Sequence, residues 1–391
     1  MPRTDLKVNG EVSGKVLIAG GGVGGLTLAI ALIRAGFECE IFEREPELRP
    51  AGAGLALQAS AMQALQSLSL DSHVLRSGAE IRSLVFRTPD GSMLHRMRLD
   101  FLKAEFGQPI VAIHRARLQS VLLDALGRAP IRTGKKLVNY TADQSGVTAK
   151  FTEGSVTRGV ALVGADGLRS AVRRQLLGNA PPRYAGYSTY RGIAPGFRGT
   201  PDDEVSETWG RGIRFGHMPV GHGETYWFAV FNSREGEVTA TPKRMLRDMF
   251  GRFAAPVPEL IETTPEDRMI RTDIHDRAPD GCWSQGRVTL LGDAAHPTTP
   301  NLGQGAGMAI EDAVVLTHLL SSASDITAAF REYERSRRAR TTRIVNASWQ
   351  IGRLGQFDGV VSTWIRDLSF RAMPQWLSKR QMRENARFRL D

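Results

Sequence analysis

Acids and glycines clustered at three places are the residues of this chain whose types and spacing could do chemistry. The first place is Gly20-Gly21-Gly22-Val23-Gly24-Gly25, with Glu43 and Arg44 about 20 residues further on. In a strand–turn–helix unit Gly20 permits the tight turn, Gly22 lets the backbone approach a phosphate, and Gly25 lets helix and strand pack closely. Val23 and Gly24 fall between them, at a helix start suited to a pyrophosphate. Glu43 can accept hydrogen bonds from a ribose diol. The second place is Gly164-Ala165-Asp166-Gly167, at the end of an apolar run. Alone, it reads equally as a strand-to-helix turn with an Asp at the helix start. The third is Gly292-Asp293, followed by Pro300-Asn301-Leu302-Gly303-Gln304-Gly305-Ala306-Gly307. A glycine-rich helix start presents free N–H groups and a positive dipole end, suited to developing negative charge. This is the chemistry of holding an adenine dinucleotide, and the first unit alone does not separate FAD from NAD.

These residues need elements to carry them. Val16-Leu17-Ile18-Ala19 suits a strand buried on both faces. Leu26 to Ile33 is apolar nearly all round, as a buried helix should be, and Glu38 to Glu43 forms the next strand. Pro50-Ala51-Gly52-Ala53-Gly54-Leu55 predicts a glycine-rich loop leading to a helix around Ala59 to Leu68. Pro89-Asp90-Gly91 joins two strand-like runs, Ile81 to Arg87 and Met93 to Leu99. A helical pattern begins at His114-Arg115. From Pro182 to Asp273 short aromatic and β-branched runs predict an inserted antiparallel sheet: Tyr187 to Ile193, Ile213 to Val220 and Thr225 to Phe231. Helical patterns near Met245 to Phe253 and Pro258 to Glu262 accompany it. Arg287 to Leu291 then reads as a strand, Gly303 to Leu320 as a helix, and the chain from Asp325 as mostly helix. The division is residues 1–181 and 274–340 for a split dinucleotide domain, 182–273 for the inserted sheet, and 341–391 for a C-terminal helical region.

Bulk properties narrow the class. The 391 residues allow two lobes, and 41% hydrophobic with 24% charged residues is ordinary for a soluble protein. No run approaches the ~18 apolar residues of a membrane span, and Met1 to Asn9 lacks a signal-peptide core, so a cytoplasmic location is expected. Two cysteines build neither a disulfide framework nor a metal spacing; Cys39 alternates with Phe37 and Ile41 as packing, and Cys282 receives no role. His217, His222, His275 and His296 lie on different predicted elements, so no metal site is expected. The net charge of +10 suggests nucleic acid, but no nucleic-acid signature is present. Its sources are arginines suited to phosphates or an anionic substrate, and basic helical stretches at Arg331 to Arg343 and Lys379 to Arg389. Those stretches read as a solvated face, with peripheral contact to an anionic membrane as the alternative.

The three glycine–acid motifs, in this order, resemble the single-component FAD aromatic monooxygenases of the p-hydroxybenzoate hydroxylase type, over about residues 15 to 340. Tyr184-Ala185-Gly186-Tyr187 and Tyr190-Arg191-Gly192 look most like the branch with urate hydroxylase, salicylate hydroxylase and zeaxanthin epoxidase. The resemblance implies a Rossmann-like, glutathione-reductase-like FAD domain of α/β class, with an inserted antiparallel-sheet substrate domain and C-terminal helices. It implies that Gly20 to Gly25 with Glu43 bind the ADP part and that Asp166 serves both FAD and the nicotinamide donor. Asp293 would hold the ribityl chain. Arg115 would reach the flavin from its helix start, and Leu55 and Leu137 would line the ring and the adenine side. Pro300, Gly303 and the backbone of Gly305-Ala306-Gly307 would border the flavin pyrimidine; many relatives have Asn where this chain has Gly307.

The implied cycle is reduction of non-covalently held FAD by NADPH or NADH, reaction with O₂ to a flavin C4a-hydroperoxide, and transfer of one oxygen to a planar aromatic or heteroaromatic substrate. Hydroxylation, epoxidation and hydroxylation followed by rearrangement all remain open. Arg214 and Tyr226 fall where the urate hydroxylase branch has substrate-contacting Arg and Tyr. The candidate pocket mixes Tyr190, Phe215, Tyr226 and Trp227 with Arg191, Arg211 and Arg214. His217 and His222 are candidates for a base that deprotonates a phenol, and His296 reads as structural. The alternatives are a flavin-dependent reductase or halogenase, whose Trp-x-Trp-x-Ile-Pro signature is absent, and a binding protein of GDP-dissociation-inhibitor type. A monomer or homodimer is expected.

Overall fold

A computed structural model describes residues 14–48, 53–279, 281–388 and 390. The readings at Met1 to Asn9, at Pro50-Ala51-Gly52 and at Arg389 lie outside them.

The apolar run Val16–Ala19 is the centre of a six-stranded sheet, flanked in parallel by Cys39–Phe42 and Ala161–Gly164. Val288–Leu290 pairs outside Ala161–Gly164, and Ile131–Arg132 outside Cys39–Phe42. All four residues are buried in each of the three central strands. They read as unbroken apolar runs because helices cover them. Helix Val23–Arg34 packs on helix Gly305–Ser322, and Leu17, Ile18, Leu26, Leu28, Leu290 and Ile310 form part of the main core.

The second lobe is a seven-stranded sheet in the order Ile270–Asp276, Arg183–Pro195, Glu224–Asn232, Ile213–Pro219, Glu204–Trp209, Ser83–Arg87 and Met93–Arg98. Two of its strands thus come from residues 83–98, far upstream of the aromatic-rich insertion. The Glu204–Trp209 strand, which pairs in parallel with Ser83–Arg87, and the edge strand Ile270–Asp276 have no counterpart among the predicted runs. Period-2 alternation gives this sheet two different faces. Phe215, Trp227 and Tyr190 point to one face, packed under helices Pro242–Phe250 and Val257–Thr263 with Leu246, Phe250 and Leu260. Arg214, Met218, Tyr226 and Phe228 point to the other, by the pairs Arg214 with Val230, Gly216 with Phe228 and Met218 with Tyr226. The aromatic and arginine residues grouped together from sequence are therefore split between a core and a cleft.

Helix Ile326–Gly355 joins the lobes. Its 30 residues span roughly 45 Å. Phe330 and Tyr333 sit in the main core, while Gly352 and Gly355 lie against Tyr187 and Arg214 of the seven-stranded sheet. A Cβ on Gly355 would stand 2.7 Å from Arg214 Cδ, so only glycine lets the helix come so near. Helices Val360–Arg371 and Gln375–Ala386 close the chain.

Candidate active site

The turn after Val16–Ala19 has little room. Gly20 takes φ +108°, and a Cβ there would stand 2.3 Å from the Ala165 carbonyl oxygen. A Cβ on Gly25 would stand 2.0 Å from the Gly20 carbonyl oxygen. Gly22 differs: nothing lies within 4 Å of its Cβ direction, which opens outward from the helix start. Among the described residues no side chain caps helix Val23–Arg34. Its first N–H groups and its dipole are left for an anion. Glu43 ends the neighbouring strand and accepts from the backbone N–H of Gly21 at 2.7 Å and of Glu45 at 2.9 Å. Arg44 lies at the surface, 3.3 Å from Glu45. Leu137 is buried in the main core; the chain leading to it runs along Glu43, whose carbonyl accepts from Lys135 N.

Asp166 sits beside Gly20 and serves two ends. Its Oδ2 accepts from Ala171 N at 2.7 Å, capping helix Ala171–Leu177 together with Ser170. Its Oδ1 is buried without a partner, and burial pushes the carboxyl above its ordinary range against the pull of those hydrogen bonds. One oxygen is structural, and the other remains available to a ligand donor.

Asp293 lies across the cleft. It is open to solvent yet enclosed by protein, as a group on a cleft floor is, and makes no hydrogen bond among the described residues. The enclosure holds its carboxyl above the ordinary range, opposed by the charges of His296 and Arg115. Arg115 begins helix Arg115–Leu126 and is placed by strand Ile110–His114, which pairs with Gly54–Leu57 and so brings Leu55 to the same rim. On the other side, Asp293 Oδ1 is 3.7 Å from where a Gly305 Cβ would stand. Helix Gly305–Ser322 starts there, also without a side-chain cap among the described residues, after a turn at Pro300–Leu302 and Gly303 at φ +60°. Gly307 faces Ala61 of helix Ala59–Ser67, where a Cβ would stand 3.3 Å from the alanine Cβ. That close packing of two helices is the local reason for glycine. Gln304 is buried with Oε1 unpartnered.

The Asp293 loop is held from behind by residues that sequence reasoning missed. Asp312 Oδ2 accepts from Gly292 N at 3.1 Å and meets His296 Nε2 at 2.6 Å, while its Oδ1 accepts from Arg337 Nε at 2.7 Å. Glu311 pairs with Arg337 at 2.7 Å and with Arg340 at 2.8 Å. Both acids are fully buried. Burial works to raise the Asp312 carboxyl, and the charges of His296 and Arg337 outweigh it and hold it well below the ordinary range. Arg173 donates to the carbonyls of Ala294 and Ala295 at 3.1 and 3.0 Å. His296 is thus a structural strut. Arg337 and Arg340, read from sequence as part of a solvated basic face, turn inward. The available signal was an acidic pair inside an otherwise apolar helix, with arginines three apart in the next one.

Asn301 is the second missed residue. Its Nδ2 donates to Tyr187 Oη at 2.8 Å and to the Ser348 carbonyl at 2.9 Å, and its Oδ1 accepts from Arg214 Nη2 at 2.8 Å. Arg214 is buried and also bonds Gln356 Oε1 at 2.8 Å and Glu207 Oε1 at 3.0 Å. Tyr226 shares its sheet face but stands four register positions away, with Gly216 and Phe228 between. Tyr226 is buried against Gly54, beside Arg191, and burial pushes its hydroxyl up to about 12, so it remains a proton donor. Around it lie Met218, Ile193, Val205, Leu84, Met97 and Phe228. His217 points to the opposite face; burial and then Arg87 bring it down to about 4, which makes it a weak base. His222 occupies the adjoining turn at φ +55°. Arg211 is exposed and donates to the Asp358 carbonyl.

Two uncapped helix starts, an outward-opening glycine, Glu43 at its strand end and unbonded Asp293 facing Arg115 together fit FAD. Comparison with known proteins agrees. Residues 13–348 match the family model described as FAD binding domain. The chain is 44% identical to aurachin C monooxygenase/isomerase of Stigmatella aurantiaca, over 95% of this chain and 98% of that one. It is 34% identical to 2-heptyl-3-hydroxy-4(1H)-quinolone synthase of Pseudomonas aeruginosa, over 94% and 96%. Among solved structures, Klebsiella pneumoniae HpxO complexed with FAD and uric acid superposes with a TM-score of 0.91, 31% identity and 98% coverage of both chains. With all three glycine–acid motifs gathered on one cleft, the chain belongs to the FAD-dependent aromatic monooxygenases and takes FAD as its cofactor.

Proposed function

We propose that this enzyme adds one oxygen atom to a planar, hydroxylated heteroaromatic of the quinolone kind. The observation that carries the reading is the composition of the cleft face around Tyr226: Ile193, Val205, Phe228, Leu84 and Met97 offer a broad apolar bed beside one buried hydroxyl donor. Such a bed suits an extended apolar ring system better than a small polar one. The quinolone named for the Pseudomonas aeruginosa relative is of that type.

FAD, reduced by NADPH or NADH, supplies the activation of O₂; the protein supplies position, polarity and exclusion of water. In this reading the N–H groups from Gly22 to Gly25 hold the pyrophosphate and Glu43 the adenosine ribose, with Arg44 at the edge. Asp293 accepts from the ribityl chain. Arg115, Leu55 and the Gly305-Ala306-Gly307 backbone border the isoalloxazine, with Pro300 and Gly303 at its edge and Leu137 toward the adenine. The unpartnered Asp166 Oδ1 receives a donor from the cofactor or from the nicotinamide side. Tyr226 donates a hydrogen bond to the substrate oxygen. Arg214, committed to Glu207, Gln356 and Asn301, acts as a positioning residue: it holds the Asn301 turn from which the glycine-rich helix starts. Dependence on a nicotinamide donor suits a cytoplasmic location.

The test is a screen of 2-alkyl-4-quinolones, hydroxybenzoates and urate for stimulated NAD(P)H oxidation, with product mass read for one added oxygen. Quinolones are expected to give coupled turnover. Turnover of urate or a hydroxybenzoate, with quinolones inert, would overturn the substrate class.

A further inference from the structure

Helix Val360–Arg371 is amphipathic in the reverse sense. Its buried positions are Thr363, Arg366 and Phe370. Its outward positions are Val360, Val361, Trp364, Ile365 and Leu368, each at least half exposed; Trp364 is 64% and Val361 69% exposed. Positions i, i+1, i+4, i+5 and i+8 make one continuous stripe on a helix. The helix is seated by its inner side, through Arg366 and Phe370. Arg366 donates to the Gly210 carbonyl at 2.9 Å and pairs with Asp367, and Phe370 packs at 4.7 Å from the Trp209 ring. The next helix, Gln375–Ala386, adds exposed Trp376 and Leu377. An apolar patch of this kind on a well-anchored surface marks an interaction site.

We propose that this patch docks on an anionic lipid bilayer. Charge complementarity selects the occupant. Arg371 follows the stripe at its C-terminal end, Lys379, Arg380 and Arg383 continue along the next helix, and Arg387 lies just past its end. Three neighbouring acids are engaged, Asp367 by Arg366, Glu384 by Arg380 and Glu105 by Arg383. This leaves Arg371, Lys379 and Arg387 as cations without an ion-paired acid among the described residues; the exposed Asp358 lies at the opposite, N-terminal end of the stripe. The surface is therefore apolar at its centre with cations along its border, the pattern of a helix lying in the plane of an anionic interface. Two tryptophans suit the headgroup level, where one edge is apolar and the other wet. No helix among the described residues is long and apolar enough to cross a membrane, so the contact is peripheral. The inner side of the second helix, through Met382 and Ala386, packs in the apolar cluster that contains Tyr226. A bilayer against the outer side would lie one helix layer from the cleft.

The experiment uses the FAD-loaded full chain in flotation with phosphatidylcholine vesicles, with and without phosphatidylglycerol. The parent is expected to float with the anionic vesicles at low salt and to be released by high salt. Trp364→Glu with Ile365→Glu should lower the bound fraction roughly ten-fold or more, because both residues face outward and would enter the interface. Arg371→Glu with Lys379→Glu should abolish the preference for phosphatidylglycerol. FAD content and circular dichroism of all variants should match the parent. A parent that stays unbound at low salt, or a Trp364/Ile365 variant that floats as well as the parent, overturns the proposal. So does a parent dimer, by light scattering, that the same substitutions turn into monomer, since the patch would then hold a second copy.

Discussion

Around Gly20 to Gly25 the geometry is settled within a few residues of chain, by what a Cβ would strike: the next carbonyl, the neighbouring strand, or nothing. On the seven-stranded sheet, one side chain, Arg214, is held by Glu207 of the adjacent strand and by Asn301 and Gln356 from two distant segments. The cofactor region recognises with backbone, so its residues are small and their spacing fixed. The sheet recognises with side chains, so its residues are defined by partners elsewhere. Substitutions in the first region should act on FAD affinity in proportion to local geometry, and substitutions in the second should act on coupling.

The largest expected effect cuts across that contrast. Arg337→Met removes the shared partner of Glu311 and Asp312 and leaves two buried acids underpaired. Breaking a buried ion pair from one side costs about 3–5 kcal/mol. Chemical denaturation should show that loss, and FAD affinity should fall with it, because Asp312 holds Gly292 N and His296. An unaltered unfolding midpoint would mean that the Asp293 loop stands without its support.

Next in size is Asp293→Ala. A carboxylate that accepts from a ribityl hydroxyl contributes about 1.5–3 kcal/mol, so FAD should bind roughly 10- to 150-fold more weakly with stability nearly unchanged. Titration of the apoprotein by flavin fluorescence decides it, and parent-like affinity would remove Asp293 from the cofactor site.

The two regions were also unequally legible in the sequence. The dinucleotide unit could be read because Gly20, Gly22 and Gly25 each answer a constraint imposed by residues next to them. The Glu311-Asp312 pair could have been read as well, since charges inside an apolar helix must find partners, yet the partners lie in another helix and nothing local names Arg337 over Arg335 or Arg338. The sheet was the harder case. Short runs revealed Arg183–Pro195, Ile213–Pro219 and Glu224–Asn232, but neither Glu204–Trp209 nor Ile270–Asp276, and not that residues 83–98 would join them. The alternation that separates Phe215 and Trp227 from Tyr226 was present in the sequence, but grouping the aromatics by type concealed it. The role of Asn301 was hidden altogether, because it depends on Tyr187, Arg214 and Ser348 meeting at one turn.

A pair of glycine substitutions tests the cofactor region from inside. Gly25→Ala places a methyl 2.0 Å from a carbonyl oxygen, so the turn must shift, costing about 1–3 kcal/mol of stability along with FAD affinity. Gly22→Ala meets nothing within 4 Å, so the unfolding midpoint should stay and only FAD affinity should fall, through the methyl that now occupies the phosphate's approach. Equal destabilisation by both would show that Gly22 is there for the fold and not for the ligand.

The smallest effect is the most informative about the sheet. Tyr226→Phe keeps the ring that packs against Gly54 and removes only the hydroxyl. Since that hydroxyl is buried and protonated up to about pH 12, it is a donor throughout the working range. One neutral hydrogen bond to the substrate contributes about 0.5–1.5 kcal/mol, so KM should rise roughly 2- to 13-fold. FAD content and thermal stability should not move. Product formed per NAD(P)H consumed should fall, with hydrogen peroxide making up the difference, because a substrate free to tilt misaligns the reacting atoms. Arg214→Met should differ in kind: it strips Glu207, Gln356 and Asn301 of their shared partner, so it should lower stability and coupling together. If Tyr226→Phe leaves KM and coupling at parent values while Arg214→Met changes both, substrate orientation belongs to the Arg214–Asn301 end of the sheet and not to Tyr226.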